Sequence, residues 1–195
     1  RNKVISMGIS ENKVFEIGPM ILDGIRHNKY INKNQFEQIT GYKFDKKNLL
    51  VTYHPETLSD DQGLRGFDSL LLVLKDTECN VLFTSPNADK GGNVLLNKLK
   101  NFVCTDKSRY FYIPSLGQMR YLNALKLFDG VVGNSSSGIS EIPSLNVGTL
   151  NIGLRQSGRP IADSVIDLKK VSYKSLKINL NKLLSKKFKD KIKTS

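Results

Sequence analysis

The chain has only two cysteines and two histidines, no tryptophan, and no apolar run approaching the length of a membrane span. Cys79 and Cys104 lack the spacing of metal ligands, and each lies near an apolar run. Both therefore read as buried free thiols of a reducing compartment, the cytoplasm. Acidic residues are the scarcer charge, with 18 Asp and Glu against 30 Lys and Arg and a formal net charge of +12. Such an excess fits nucleic acid, an acidic membrane surface or a phosphate-bearing substrate. The basic residues are mostly lysine, dispersed along the chain and densest in the tail 186–193, which is the pattern of a solvated surface. No aromatic stacking stripe or nucleic-acid motif accompanies them, so neither nucleic acid nor a membrane is expected as a partner. Also missing are a Walker A loop, the dinucleotide pattern Gly-x-Gly-x-x-Gly, a metal cluster and a Ser/His/Asp triad with a clear base. No metal and no cofactor are called for.

What remains is ordinary globular composition, 39% hydrophobic and 25% charged, in 195 residues. That length suits one α/β domain and is short for two. The chain opens without an initiator Met or a signal-peptide pattern, and is expected to be a domain excised from something longer. Apolar runs alternate with amphipathic stretches, the pattern of βα units and a parallel sheet. Strands are expected at 14–17, 48–53, 80–85, 109–113, 130–132 and 149–152. Helices are expected at 63–75, 92–102, 118–128, 137–145 and 172–186. Residues 26–47 read as a polar, irregular stretch holding a short surface helix.

Polar clusters follow five successive strands, where open parallel sheets bind ligands. They are His54-Pro55-Glu56-Thr57, Ser85-Pro86-Asn87-Ala88-Asp89, Pro114-Ser115-Leu116, Gly133-Asn134-Ser135-Ser136-Ser137-Gly138 and Gly153-Leu154-Arg155-Gln156-Ser157-Gly158-Arg159. The fourth is a small-residue turn opening a helix, which offers backbone N–H groups, hydroxyls and a helix dipole to a phosphate. Serines also serve as plain N-caps. Glu141 falls in the first turns of that helix, where the dipole alone can stabilise it or a ribose cis-diol can bond it. His54, at a strand's end, can be structural, or can be cationic and bind an anion or protonate a leaving oxygen. Arg155 and Arg159 have forks suited to phosphate, and Asn87 and Asp89 either orient a hydroxyl or form an Asx turn.

These residues resemble the UDP-N-acetylglucosamine 2-epimerases, specifically the hydrolysing branch of sialic acid synthesis. The similarity runs through Val14-Phe15-Glu16-Ile17-Gly18-Pro19 with Asp23, Val51-Thr52-Tyr53-His54-Pro55-Glu56-Thr57 and Ser85-Pro86-Asn87-Ala88-Asp89. It continues through Gly133-Asn134-Ser135-Ser136-Ser137-Gly138-Ile139-Ser140-Glu141 and Thr149-Leu150-Asn151-Ile152-Gly153-Leu154-Arg155-Gln156-Ser157-Gly158-Arg159. It covers nearly the whole chain up to about Ile166. The resemblance implies a Rossmann-like, doubly wound parallel sheet, the second half of a GT-B-like two-domain fold. Residues 1–195 would form one UDP-binding domain, its partners being UDP or a UDP-sugar, an N-terminal catalytic domain outside this chain, and further copies of the full enzyme. The resemblance places His54 at the diphosphate, Asn87 near the sugar or phosphates, and Ser115 and Leu116, by backbone groups, at uracil. It places Ser135, Ser136, Ser137 and Gly138 at the diphosphate, Glu141 at the ribose, and Arg159 reaching back to the ligand. The implied chemistry is anti elimination of UDP across C1–C2 to 2-acetamidoglucal, then hydration to N-acetylmannosamine. UDP-diacetylbacillosamine is an alternative substrate, and the donor half of a GT-B glycosyltransferase an alternative function. Carboxylates for the C2 proton would belong to the other half, so this chain alone is expected to bind and not to turn over.

Overall fold

The computed structural model describes residues 1–17 and 21–193. Six parallel strands form one sheet: β1 (Asn48–Thr52), β2 (Asn80–Phe83), β3 (Tyr110–Tyr112), β4 (Gly130–Gly133), β5 (Thr149–Ile152) and β6 (Val165–Leu168). Three short helices precede it, α1 (Asn2–Ser6), α2 (Ile21–His27) and α3 (Lys33–Thr40). Crossovers run through α4 (Leu64–Lys75), α5 (Gly92–Val103) and α6 (Gly117–Leu127), then through α7 (Ser137–Ser140) with a 3-10 turn at Ile142–Leu145. After β6 come α8 (Tyr173–Leu184) and α9 (Lys186–Lys193). The strand order is β3-β2-β1-β4-β5-β6. The sheet therefore grows one way from β1 and the other way from β4, the doubly wound arrangement whose switch point opens a crevice at the carboxyl edge. Register brings Thr52 beside Gly133, so the loops leaving β1 and β4 start as neighbours.

Strands buried on both faces read as continuous apolar runs, and their side chains alternate between two cores. Leu49, Val51, Val81, Phe83 and Val132 join α4, α5, α8 and α9 on one face. Leu50, Leu82 and Val131 join α3, α6 and the 3-10 turn on the other. The second core centres on Phe36, Tyr42, Phe44 and Phe128, whose ring centroids lie between 4.9 and 6.4 Å apart. The Tyr42 hydroxyl donates to Asn48 Oδ1 at 3.1 Å, so its buried polar tip is satisfied.

Several expectations need correction. Residues 26–47 are not mere surface, because Phe36 and Tyr42 within them are fully buried. The two aromatics sit on a short helix and the turn after it, so no repeating stripe announced them. Residues 14–17 form no strand. They follow a 3-10 turn at Glu11–Lys13 and find no ladder partner, leaving Phe15 and Ile17 about three-quarters exposed, at 78% and 74%. β6 was not anticipated, its four residues too short to stand out without the pairing that β5 supplies. The helix expected at 137–145 divides, since Pro143 near the start of the 3-10 turn lacks the N–H to continue an α-helix. The helix expected at 172–186 ends at Leu184, and the lysine-rich tail forms α9. Phe188 and Ile192, four apart, bury one stripe of that helix while its lysines face outward. Cys79 is buried as expected, and burial pushes its thiol up to about 11. Cys104 is exposed, because it caps the end of α5 beyond the buried stripe.

The packing of α9 makes Phe188→Ala destabilising by about 3 kcal/mol in urea unfolding. Lys187→Ala, on the exposed side, is expected to leave the midpoint unchanged.

Candidate functional site

The site grows from the switch point. Gly133 ends β4 with φ +141°, and a Cβ there would lie 1.9 Å from the Thr52 carbonyl oxygen. Only glycine lets the ends of β1 and β4 approach this closely. Asn134 follows, fully buried, and its side chain closes a two-point clamp on His54. Its Oδ1 accepts the His54 N–H at 2.7 Å and its Nδ2 donates to the His54 carbonyl at 2.8 Å. Its own N–H donates to the Thr52 carbonyl at 3.2 Å. Its carbonyl accepts from Gln156 Nε2 at 2.8 Å and from the Arg155 guanidinium at 3.3 Å. One buried residue thus ties the loops after β1, β4 and β5. A second tie runs beside it, where Glu56 Oε1 accepts the Leu154 N–H at 3.2 Å. Gly153, at φ +82°, makes room for that carboxylate, since a Cβ would sit 1.8 Å from the same oxygen.

Above this base lies a cleft of about 450 Å³ at the carboxyl edge, lined among others by His54, Ser115, Leu116, Tyr121, Ser135, Ser137 and Glu141. The N–H groups of Ser135, Ser136 and Ser137 meet no protein acceptor among the described residues. Tyr121 and Ser137 share a 2.5 Å hydroxyl contact, and Ser137 Oγ donates to Ser135 Oγ at 3.1 Å. Burial pushes the Tyr121 hydroxyl up to about 12, so it stays protonated. The Glu141 carboxyl is half-buried, and burial pushes it above the ordinary carboxylate range. It stands between two short elements, at the C-cap of the single α7 turn and the N-cap of the 3-10 turn Ile142–Leu145, with no side-chain capping bond to the latter. Elements of four residues each offer little macrodipole to Glu141 or to a phosphate.

Of the two readings of His54, the surroundings disfavour the cationic one. Burial first, and then the Arg155 guanidinium, push the imidazole down to about 4 against a smaller opposing pull from Asp89. Its Nδ1 accepts the Asn87 N–H at 3.0 Å.

The structure gathers six of the sequence-selected residues into the cleft: His54, Ser115, Leu116, Ser135, Ser137 and Glu141. Asn87 adjoins it through its backbone, while its side chain bonds Asp89. Ser136 contributes its free N–H, and Gly138 packs closely on Thr149 of β5, where a Cβ would meet Cγ2 at 2.9 Å. Arg159 is exposed and does not line the cleft; the arginine that reaches the base of the site is Arg155. Tyr121 was missed, because it sits between the apolar positions of α6 and reads as part of the core stripe.

The sequence model described as UDP-N-acetylglucosamine 2-epimerase matches residues 1–194. The chain belongs to that family. Among its relatives is the hydrolysing GDP/UDP-N,N'-diacetylbacillosamine 2-epimerase of Campylobacter jejuni, 33% identical over 97% of this chain and 49% of the relative. Another is polysialic acid biosynthesis protein P7 of Escherichia coli, 37% identical over 86% of this chain and 43% of that protein. The chain spans about half the length of the curated relatives it matches. The fold is similar to that of S. aureus MnaA in its UDP co-structure, with a TM-score of 0.67 at 13% identity over 98% of this chain and 51% of that one. The chain of this epimerase family thus has an α/β fold that matches one half of a GT-B-like architecture.

Asn134→Ala removes both bonds to the His54 backbone and strands buried partners. It is expected to destabilise the chain by about 2–4 kcal/mol in chemical denaturation. An Asn134→Ala protein as stable as the wild type would show that the clamp holds nothing.

Proposed function

We propose that this chain is the UDP-binding half of a hydrolysing sugar-nucleotide 2-epimerase. The observation that carries the reading is the convergence, at the switch point, of a histidine, a half-buried carboxylate and the Ser135–Ser137 loop, whose three N–H groups meet no acceptor among the described residues and whose Ser135 and Ser137 line the cleft. Free N–H groups and hydroxyls at Ser135–Ser137 suit a diphosphate, and the unpartnered Glu141 carboxylate suits a ribose cis-diol. Leu116 and the backbone around Ser115 offer an apolar wall and polar edge for uracil. In this reading the C1–O bond breaks with its electron pair leaving on UDP, a base from the other half takes the C2 proton, and water then adds to the glycal. The chain's part is to receive the departing diphosphate on donors already in place.

The sugar is the finer question. The sequence favoured UDP-N-acetylglucosamine, but the similarity to a hydrolysing diacetylbacillosamine 2-epimerase, spread over 97% of the chain, supports UDP-N,N'-diacetylbacillosamine better. The family model, described as UDP-N-acetylglucosamine 2-epimerase, keeps the N-acetylglucosamine reading as the competitor. The transferase alternative rests on architecture alone, which many activities share.

Two measurements test this. In calorimetry, Glu141→Gln is expected to weaken UDP by about 1–3 kcal/mol while leaving inorganic pyrophosphate unaffected. With the companion half present, UDP-N,N'-diacetylbacillosamine is expected to release UDP and the free 2-epimer faster than UDP-N-acetylglucosamine does. The opposite order would return the sugar to N-acetylglucosamine, and epimer retained on UDP would remove the hydrolytic reading. Acid should also weaken UDP binding. Glu141 must be ionised to accept two hydroxyls, and its raised pKa means that the ionised form is lost earlier as pH falls than for a free glutamate.

A further inference from the structure

The geometry points to His54 meeting the diphosphate as a neutral imidazole that donates through Nε2–H, its tautomer fixed by the backbone N–H of Asn87. The inference rests on the UDP-binding reading above and specifies how its histidine works. A backbone N–H can only donate, so the 3.0 Å contact from Asn87 N requires an unprotonated Nδ1. The neutral ring then carries its proton on Nε2. Forming the cation would place a second N–H against the Asn87 donor and break that bond.

The loop that carries the Asn87 N–H is itself constrained. Its carbonyl oxygen lies so near Gly92, the first residue of α5, that a Cβ there would come within 2.3 Å of it. Its side-chain Nδ2 donates to Asp89, closing the loop upon itself. On the other side, Asn134 holds both the N–H and the carbonyl of His54. The ring is therefore oriented from two strand ends, β2 through Nδ1 and β4 through the backbone, leaving Nε2 as its uncommitted atom.

Surrounding charges agree with the geometry. The Arg155 guanidinium, from the loop after β5, opposes a second cation, and Asp89 from the loop after β2 favours one more weakly. Glu141, at the end of α7, lines the same cleft, and Glu56 follows on His54's own loop. Burial first, and then Arg155, outweigh Asp89 and hold the imidazole down at about 4. A neutral donor adds orientation without competing with Arg155 for space as a cation. It also means that His54 supplies no proton to the leaving group, so the departing diphosphate is stabilised by hydrogen bonds alone on this side.

The test has a ligand-free arm and a ligand arm. In 15N-labelled protein without ligand, imidazole nitrogen shifts are expected to show Nδ1 unprotonated and Nε2 protonated at neutral pH. Shifts showing the Nδ1–H tautomer, or a cation, overturn the inference whether or not UDP binds. For the ligand arm, the probe is UDP-N-acetylglucosamine, whose diphosphate diester does not ionise over the range in which histidine normally titrates, about pH 5–8. Affinity is expected not to rise as pH falls, whereas a cationic His54 would strengthen binding in acid. Glu141 acts in the opposite sense, so a rise has no other source among the cleft's carboxylates. His54→Gln retains an uncharged N–H donor and is expected to bind within a few-fold of wild type, while His54→Ala loses about tenfold or more. His54→Gln binding as poorly as His54→Ala, together with acid-strengthened wild-type binding, would assign a charge role instead. If the wild type binds neither UDP nor UDP-sugar, the functional reading fails, and the tautomer still stands or falls on the spectra.

Discussion

The arrangement of this domain depends on a side-chain amide that binds no ligand. Asn134 sits where the sheet changes its direction of growth, and each of its polar groups is engaged with protein. A parallel sheet delivers its strand ends to one edge but does not fix the loops that leave them. At that edge the backbone groups of the loops need partners, and burying them without partners is costly. Asn134 supplies donors and acceptors to three loops at once, so satisfaction of the backbone and assembly of the cleft are the same event. The glycine before it is required for the same reason, because β1 and β4 meet there too closely for any side chain.

The clamp explains why the next residues are free to act. Asn134 is directed inward, and the N–H groups of Ser135, Ser136 and Ser137 after it meet no acceptor among the described residues. The helix that follows is one turn long, so what the loop offers an anion is individual donors and the hydroxyl chain through Tyr121 more than an aligned dipole. Arg155 brings positive charge near the base of the site and, second to burial, pushes the His54 pKa down. The formal charge of +12 over the chain has little to do with this, since most of it lies on outward lysines such as those of α9.

The fold was legible in the sequence because buried parallel strands and amphipathic helices leave strong periodic signals. Five of the six strands lie within a residue or two of where the apolar runs placed them. β6 escaped because its four residues gain their identity from pairing with β5. Phe36 and Tyr42 escaped because an aromatic cluster built from a short helix, a turn and the end of α6 has no period along the chain. The site was legible as a set of strand-end loops, though not as an assignment of work within them. Asn134 looked like one more donor in a serine-rich turn, and only coordinates show its amide directed back at His54. The choice between Arg155 and Arg159 likewise turned on loop conformation, which residue type does not encode. The protonation of His54 depended on burial and on a backbone donor from another strand, neither of which is written near position 54.

The central claim is that Asn134 is spent on the protein so that its three successors are free for a diphosphate. Residue-resolved amide hydrogen exchange with and without UDP tests it most directly. UDP is expected to slow exchange at Ser135, Ser136 and Ser137, and to leave the His54 amide, already held by Asn134, as protected as before. Unchanged exchange across the three serines at saturating UDP, with new protection at His54 instead, would contradict the account.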